Sequence, residues 1–223
     1  MTSLPCVEVE PDHQPANASV ILLPGIGADG HDFEPLPPEL GLPRAAAVRF
    51  VFPHAPSRPV TVNAGMQMPS WYDILEMQID RKVDTQQLRA SAQQIHELVE
   101  RERERGIAAD RIVVAGFSQG GAVAIEAALT FPHRLAGLMV LSSYFATADS
   151  LTASGANDKL PVLVCHGTED PVVPHLLGER AARQLEERGH PVTLRTFPME
   201  HGVCPEEIAV IGQWLTRRLN LTS

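Results

Sequence analysis

Gly116-Phe117-Ser118-Gln119-Gly120 is the stretch that decides the fold of this chain. It fits the pattern G-x-S-x-G, follows the apolar run 111–115 and precedes the small-residue run 121–128. Glycines on either side of a serine let the chain bend sharply between a strand and a helix, and the bend pushes the serine hydroxyl out of the fold. The pattern and its setting therefore predict that Ser118 is a nucleophile.

Strand and helix patterns alternate around this turn. A helix is predicted from about Asp84 to Gly106, because four apolar residues between them recur at i, i+4, i+7 and i+11 on one face. Further helices are predicted at 119–130, 176–188 and 205–219. Buried strands are predicted at 18–23, 47–52, 111–117, 135–142, 160–166 and 191–197. This alternation predicts an α/β fold, a mostly parallel central sheet with helices on both faces.

The length of the chain, 223 residues, predicts a single domain over residues 1–223. Only the segment at about 53–80 breaks the alternation, because it is rich in proline, methionine and polar residues and has little periodicity. A long irregular stretch inside a compact domain is often functional. We therefore expect an active-site flap there.

The charge, hydropathy and cysteine content of the chain indicate which ligands and which compartment are expected. The net charge is −9 and no long basic cluster occurs, which disfavours nucleic acid and favours a small neutral or acyl substrate. No signal peptide and no apolar run of membrane-spanning length is visible in the sequence, so no stable membrane insertion is expected. Three cysteines form no disulfide framework, and no zinc-type spacing is present. We expect a cytoplasmic protein that needs no metal and no cofactor.

A serine nucleophile needs a base and a carboxylate, which in such a fold follow it in the order Ser, Asp, His. Glu169 and Asp170 directly follow a predicted strand, where the acid must lie. Asp170 is preferred because Pro171 fixes the turn after it, while Glu169 is expected to face solvent. His166 precedes the acid and ends a strand, so we interpret it as structural.

Three later histidines could be the base. His175 is expected to decorate the next helix, and His190 lies in a helix-to-strand turn. His201 follows the last predicted strand and precedes the final helix, so its loop can deliver an imidazole to Ser118. We therefore predict that His201 is the base.

The oxyanion of an acyl-transfer reaction needs two preorganised N–H donors. Gln119 follows the nucleophile at a helix N-terminus and is predicted to supply one. The second is expected from the glycine-rich loop after the first strand. Because Pro24 has no N–H, Gly25, Ile26 and Gly27 remain as candidates.

Several segments together resemble one family. They are GFSQGG at 116–121, LPGIGAD at 23–29, PHAP at 53–56 with RPVT at 58–61, MPSWYD at 68–73, and HG at 166–167 with DPVVP at 170–174. This combination resembles the acyl-protein thioesterase, lysophospholipase and bacterial carboxylesterase family of α/β-hydrolases, and the likeness spans nearly the whole chain.

The resemblance implies the α/β-hydrolase fold and the triad Ser118, Asp170 and His201. It also points to Ile26 as the second oxyanion donor beside Gln119. It implies that the flap around Trp71 flanks an acyl pocket, and the apolar, adaptable residues Met68, Trp71 and Ile74 are the expected lining. The chain departs from the family at Pro24, where histidine is common.

We therefore expect a serine hydrolase that cleaves carboxylic esters or thioesters through a Ser-His-Asp triad and an acyl-enzyme. The alternatives are a lysophospholipase, a dienelactone-type hydrolase, or a non-catalytic scaffold that binds an acyl ligand. The expected partner is a small acyl ester or thioester, or an S-acylated protein. The chain is expected to be a monomer or a homodimer.

Overall fold

A computed structural model describes residues 4–221 of the chain. Its strands are β1 (Cys6–Val9), β2 (Ala18–Leu23), β3 (Val48–Pro53), β4 (Ser57–Val60), β5 (Met66–Pro69), β6 (Ile74–Glu76), β7 (Lys82–Val83), β8 (Ile112–Phe117), β9 (Gly137–Leu141), β10 (Val162–Gly167) and β11 (Val192–Phe197). Over the described range, seven of them form one sheet in the order β1-β3-β2-β8-β9-β10-β11. Only β1 runs antiparallel to its neighbour in that sheet, which confirms the prediction of a mostly parallel sheet.

Helices cover both faces of the sheet, as the sequence predicted. They are α1 (Leu36–Glu39), α2 (Thr85–Glu104), α3 (Gln119–Thr130), α4 (His175–Glu187) and α5 (Pro205–Arg218). Side chains of α2, α3 and α4 pack with one face of the sheet, and those of α5 pack with the other. Strand residues alternate between these two apolar clusters, as period-2 geometry requires.

Helix α2 illustrates how local sequence sets an element. Asp84 caps its N-terminus, where the Asp84 carboxylate accepts a hydrogen bond from the Gln87 N–H. The predicted apolar face, represented by Leu88 and Ile95, is wholly buried. The predicted start of the helix near residue 84 is therefore confirmed.

The flap is more regular than the sequence indicated. Within 53–80, β4 pairs antiparallel with β5, and β6 pairs with β7 just beyond it. The expectation of an irregular segment was wrong here because these short strands pair only with each other. They show none of the alternation that a half-buried strand in the main sheet would show.

A buried ion-pair cluster ties the end of α2 to the amino-terminal side of the sheet. Glu102 has no exposed surface, and its carboxylate accepts hydrogen bonds from Arg49 at 2.8 Å and from Arg105 at 2.9 Å. Arg49 also pairs with Glu10, which follows β1, at 2.7 Å. The cluster therefore fastens the antiparallel edge strand to the helix layer.

The carboxyl ends of the parallel strands β2, β8, β10 and β11 meet at one edge of the sheet. The loops that leave these four strands carry the residues predicted for the triad and the loop donors of the oxyanion hole, and Gln119 is the first residue of helix α3.

Candidate active site

Ser118 lies alone between β8 and α3 in a strained conformation. Its backbone angles are φ 53° and ψ −121°, a region in which a non-glycine residue costs about 1–3 kcal/mol. The Ser118 N–H donates to the Leu141 carbonyl at 2.8 Å, and the Ser143 hydroxyl donates to the Ser118 carbonyl at 2.5 Å. The neighbouring strand β9 and the loop after it thus hold the strained peptide in place.

Glycines make this turn possible. A Cβ on Gly116 would lie 2.2 Å from the Gly120 carbonyl oxygen, and one on Gly120 would lie 2.5 Å from the carbonyl oxygens of Leu23 and Pro24. Such distances exclude any side chain at either position. Both glycines of the G-x-S-x-G pattern therefore allow close backbone approach, one inside the turn and one against the loop after β2.

Ser118, His201 and Asp170 form a continuous hydrogen-bonded chain. His201 Nε2 lies 3.0 Å from Ser118 Oγ, and His201 Nδ1 lies 2.6 Å from Asp170 Oδ2. A carboxylate can only accept, so Nδ1 carries the proton and Nε2 is free to accept the serine hydroxyl proton. The structure thus brings together the three residues predicted for the triad, in a geometry suited to activating a serine.

Asp170 is fixed by its own loop. Its Oδ1 accepts hydrogen bonds from the Val172 N–H at 2.9 Å and the Val173 N–H at 2.8 Å, which leaves Oδ2 for His201. Its neighbour Glu169 is exposed. Of the two acids that the sequence offered, only Asp170 faces the histidine.

The remaining histidines lie outside this chain of hydrogen bonds. His166 is fully buried, its Nε2 donates to the Val173 carbonyl at 2.8 Å, and burial lowers its pKa. His166 is therefore a neutral ring whose hydrogen bond to Val173 stabilises the loop that carries Asp170. His175 is the first residue of α4, and His190 lies in the turn after α4 with Nδ1 3.3 Å from the Leu160 carbonyl.

The loop after β2 lies directly against the nucleophile turn. The Gly27 N–H donates to the Pro69 carbonyl at 2.8 Å, so it is occupied. Within residues 4–221, the N–H groups of Ile26 and Gln119 have no hydrogen-bond acceptor. Of the three donors that the sequence left open in this loop, Gly27 is thus excluded, while Ile26 and Gly25 remain available.

The predicted pocket residues divide into two kinds. Met68 on β5 is partly exposed. Trp71 is wholly buried, Ile74 nearly so, and the Trp71 indole N–H donates to the Pro24 carbonyl at 2.9 Å. The expectation that Trp71 presents a surface to substrate was therefore wrong, because its ring packs in the core and its one polar atom is used within the protein.

Residues that support the site from behind were missed by the sequence reasoning. They are Ser70, Ser91 and Ser143, whose hydroxyls donate to main-chain carbonyls of Tyr72, Trp71 and Ser118. No motif marks them: the Ser91 and Ser143 contacts join segments that meet only in the folded chain, and the Ser70 contact, to a residue two positions along, belongs to no recognised pattern. For Ser70 and Ser143, a short serine side chain in a loop was the available signal, whereas Ser91 lies within helix α2.

A strained serine turn at the carboxyl edge of a parallel sheet, with an aligned histidine and carboxylate, defines a serine hydrolase of the α/β-hydrolase class. The family described as Phospholipase/Carboxylesterase matches residues 4–219. The chain therefore belongs to this family. The predicted resemblance and the predicted enzyme class are confirmed.

Relatives and solved structures agree with this assignment. Acyl-protein thioesterase 1 of Neurospora crassa is 38% identical over 213 residues, covering 91% of this chain and 87% of that protein. Acyl-protein thioesterase 1 of Gibberella zeae is 37% identical over 213 residues, covering 91% of each. The crystal structure of Zea mays acyl-protein thioesterase 2 superposes with a TM-score of 0.85 at 28% identity, covering 96% of this chain and 99% of that one.

No group of three or more potential metal-ligating side chains occurs between residues 4 and 221. In the same described part, none of the helices has the length and apolar character needed to cross a bilayer.

Proposed function

We propose that this protein hydrolyses carboxylic esters and thioesters with Ser118 as nucleophile, His201 as base and Asp170 as the carboxylate that orients the base. The observation that carries the proposal is the unbroken hydrogen-bonded chain from Ser118 Oγ through His201 to Asp170, at 3.0 and 2.6 Å. Two fungal relatives are named acyl-protein thioesterases, which supports an acyl ester or thioester as the substrate.

In the first half of the reaction Ser118 Oγ bonds to the substrate carbonyl carbon while its proton passes to His201 Nε2. The carbonyl electron pair moves to oxygen, and the N–H groups of Ile26 and Gln119 donate to that oxyanion. Collapse re-forms the carbonyl and breaks the bond to the alcohol or thiol, which takes the proton from His201. Water then attacks the acyl-enzyme by the same steps and releases a carboxylic acid.

Exposed apolar side chains on the described surface suit a substrate with an acyl chain. Large apolar side chains are exposed on the flap region and at the turn and helix start after Asp170: Met66, Leu75, Met77, Ile79, Val172 and Leu176. Flexible apolar residues of this kind accommodate aliphatic chains of varied shape. They favour a substrate with a hydrophobic acyl group, either a small ester or thioester or an S-acylated protein.

The proposal extends to the compartment of the protein and to its oligomeric state. Cys6, Cys165 and Cys204 are free thiols within the described chain, which supports a reducing compartment such as the cytoplasm. A monomer or a homodimer is proposed, and light scattering of the purified protein distinguishes the two.

The decisive experiment compares the wild type with Ser118→Ala. The wild type is expected to react with a fluorophosphonate probe and to hydrolyse p-nitrophenyl esters, and Ser118→Ala is expected to do neither, because the attacking oxygen is gone. Hydrolysis by Ser118→Ala at the wild-type rate would overturn the proposal.

A second experiment compares rates of hydrolysis to identify the class of substrate. p-Nitrophenyl esters of increasing chain length, an acyl-CoA and an S-acylated peptide are compared by kcat/KM. A preference for the S-acylated peptide assigns protein thioesterase activity, and an optimum on short esters assigns a general carboxylesterase.

A further inference from the structure

The side chain of Gln119 is fully engaged away from the substrate side. It is almost completely buried. Its Oε1 accepts from the Trp71 N–H at 2.9 Å, and its Nε2 donates to Ser70 Oγ at 2.9 Å and to the Tyr72 carbonyl at 2.7 Å. Three hydrogen bonds therefore fasten the residue after the nucleophile to the single segment 70–72.

This segment and the preceding residue, Pro69, hold the loop after β2 at two points. The Trp71 indole N–H donates to the Pro24 carbonyl at 2.9 Å, and the Pro69 carbonyl accepts from the Gly27 N–H at 2.8 Å. These two anchors flank Gly25 and Ile26. The peptide that carries the Ile26 N–H is thus held from both sides.

The segment is itself anchored to the core. Trp71 has no exposed surface, and its carbonyl accepts from Ser91 Oγ of helix α2. Direct packing adds one more restraint, because the Cα of Gly120 leaves no room for a side chain against the Pro24 carbonyl. The loop after β2 and the N-terminus of α3 therefore share one rigid support.

We infer that the Gln119 side chain and Trp71 form a brace that sets the spacing of the two oxyanion donors. Through its main chain Gln119 supplies one donor, and through its side chain it holds the segment that positions the other. Both groups are positioning groups that do not touch substrate. This inference rests on the proposed function, since it assigns a role in the reaction of Ser118.

The brace acts on the transition state more than on bound substrate. An oxyanion hole is useful only when its donors point at the place where charge develops, and misplacing a catalytic group by about 1 Å can lower a rate by about 100-fold. Ground-state binding of the acyl chain depends on other contacts. Loosening the brace should therefore lower kcat and leave KM nearly unchanged.

Two variants loosen the brace in different ways. Gln119→Met removes the three side-chain hydrogen bonds and keeps the main-chain N–H. Trp71→Phe keeps an aromatic ring in the core and removes only the indole donor to Pro24. The matched control is Tyr144→Phe, which removes a buried hydrogen bond between Tyr144 and Tyr72 hydroxyls, 2.7 Å apart, beside the same segment.

The readouts are kcat, KM and the affinity of a trifluoromethyl ketone, which forms a tetrahedral oxyanion adduct on the nucleophilic serine. In Gln119→Met and Trp71→Phe we expect kcat and inhibitor affinity to fall together by about 10- to 100-fold. Tyr144→Phe is expected to keep both, even where thermal unfolding shows an equal loss of stability.

Wild-type kcat and inhibitor affinity in either folded brace variant would overturn the inference. So would losses in Tyr144→Phe that match those of the brace variants, because the effect would then follow stability alone. Failure of the proposed function gives a different pattern: Ser118→Ala would stay active, and the trifluoromethyl ketone would bind it as tightly as the wild type.

Discussion

At the scale of single residues, the two carboxylate oxygens of Asp170 have different partners, one in its own loop and one on His201. Oδ1 accepts two main-chain N–H groups, and Oδ2 accepts the His201 Nδ1 proton at 2.6 Å. In Asp170→Asn the amide oxygen would keep the main-chain bonds and turn its NH₂ group toward Nδ1. His201 would then carry its proton on Nε2, where it cannot accept from Ser118, so we expect kcat to fall by about 10³–10⁴-fold.

Steady-state kinetics on a p-nitrophenyl ester measures this loss. The matched control is Glu169→Gln, which makes the same chemical change in the exposed neighbouring acid and should leave kcat unchanged. A loss of less than tenfold in Asp170→Asn would contradict the role assigned to its carboxylate.

Glu207 is a buried acid outside the triad. Burial raises its pKa from 4.5 to about 8, and the Cys204 N–H offsets only part of that rise. As the pH rises from 4.5 toward 8, the unfolded carboxyl ionises while the folded one stays protonated, so the free energy of unfolding decreases. The decrease amounts to about 1.4 kcal/mol for each pH unit between 4.5 and 8. Because glutamine does not ionise, Glu207→Gln should abolish this decrease.

Urea unfolding of both proteins at pH 5 and pH 8 tests this prediction. The variant is expected to gain stability relative to the wild type as the pH rises. A difference between the two proteins that is the same at both pH values would show that Glu207 does not titrate in that range.

The residues that the structure brings together at the proposed reaction centre each carry a local signal in the sequence. Gly116 and Gly120 mark the turn, Asp170 sits between a strand and a proline, and His201 follows the last strand. Trp71 was predicted for the wrong role. A tryptophan in a proline-rich segment looks like a ligand contact until tertiary structure shows that its indole is already used by Pro24.

At the scale of elements, the N-terminus of α2 has a single side-chain cap. Asp84 accepts the Gln87 N–H at 2.9 Å, and replacing a capping aspartate with alanine lowers stability by about 0.5–2 kcal/mol. We expect Asp84→Ala to lower the midpoint of thermal unfolding with kcat unchanged. Asp84→Asn retains an accepting oxygen and is expected to stay close to the wild type. An equal loss in both variants would assign the effect to charge rather than to capping.

Elements with strong periodicity or strong terminators were predicted within a residue or two. The bounds of α3 matched at Gln119 and Thr130 because Ser118 and Pro132 limit it on either side. β1 was missed, since four partly polar residues at the antiparallel edge carry no continuous apolar run. The hairpins of the flap were missed for a related reason: their strands are two to four residues long and pair locally, so they show no periodic run even though Val60 and Ile74 are buried.

At the scale of the whole molecule, the Glu102 cluster fastens the edge strand far from the reaction centre. Removing one partner of a buried ion pair leaves an uncompensated charge and typically costs about 3–5 kcal/mol. We expect this loss of unfolding free energy in Glu102→Ala, with the activity of the folded fraction retained because Arg49 lies at the amino end of β3.

Chemical denaturation measures the effect. Glu100→Ala, two residues away on the same helix, removes a half-exposed pair with Arg103 and should change stability by less than about 1 kcal/mol. Equal losses of unfolding free energy in Glu102→Ala and Glu100→Ala would contradict the prediction that the buried carboxylate of Glu102 contributes more to stability.

The order of the strands along the chain also determines when the site is completed during synthesis. Ser118 and His201 lie 83 residues apart in the chain, and His201 follows β11, which among the described residues 4–221 pairs with β10 alone at the sheet edge. During synthesis at about 5–20 residues per second, the serine emerges several seconds before its base. A nascent chain therefore carries an unreactive serine hydroxyl until β11 docks, so the onset of phosphonylation of Ser118 by a fluorophosphonate, with release of fluoride, reports the completion of the sheet edge.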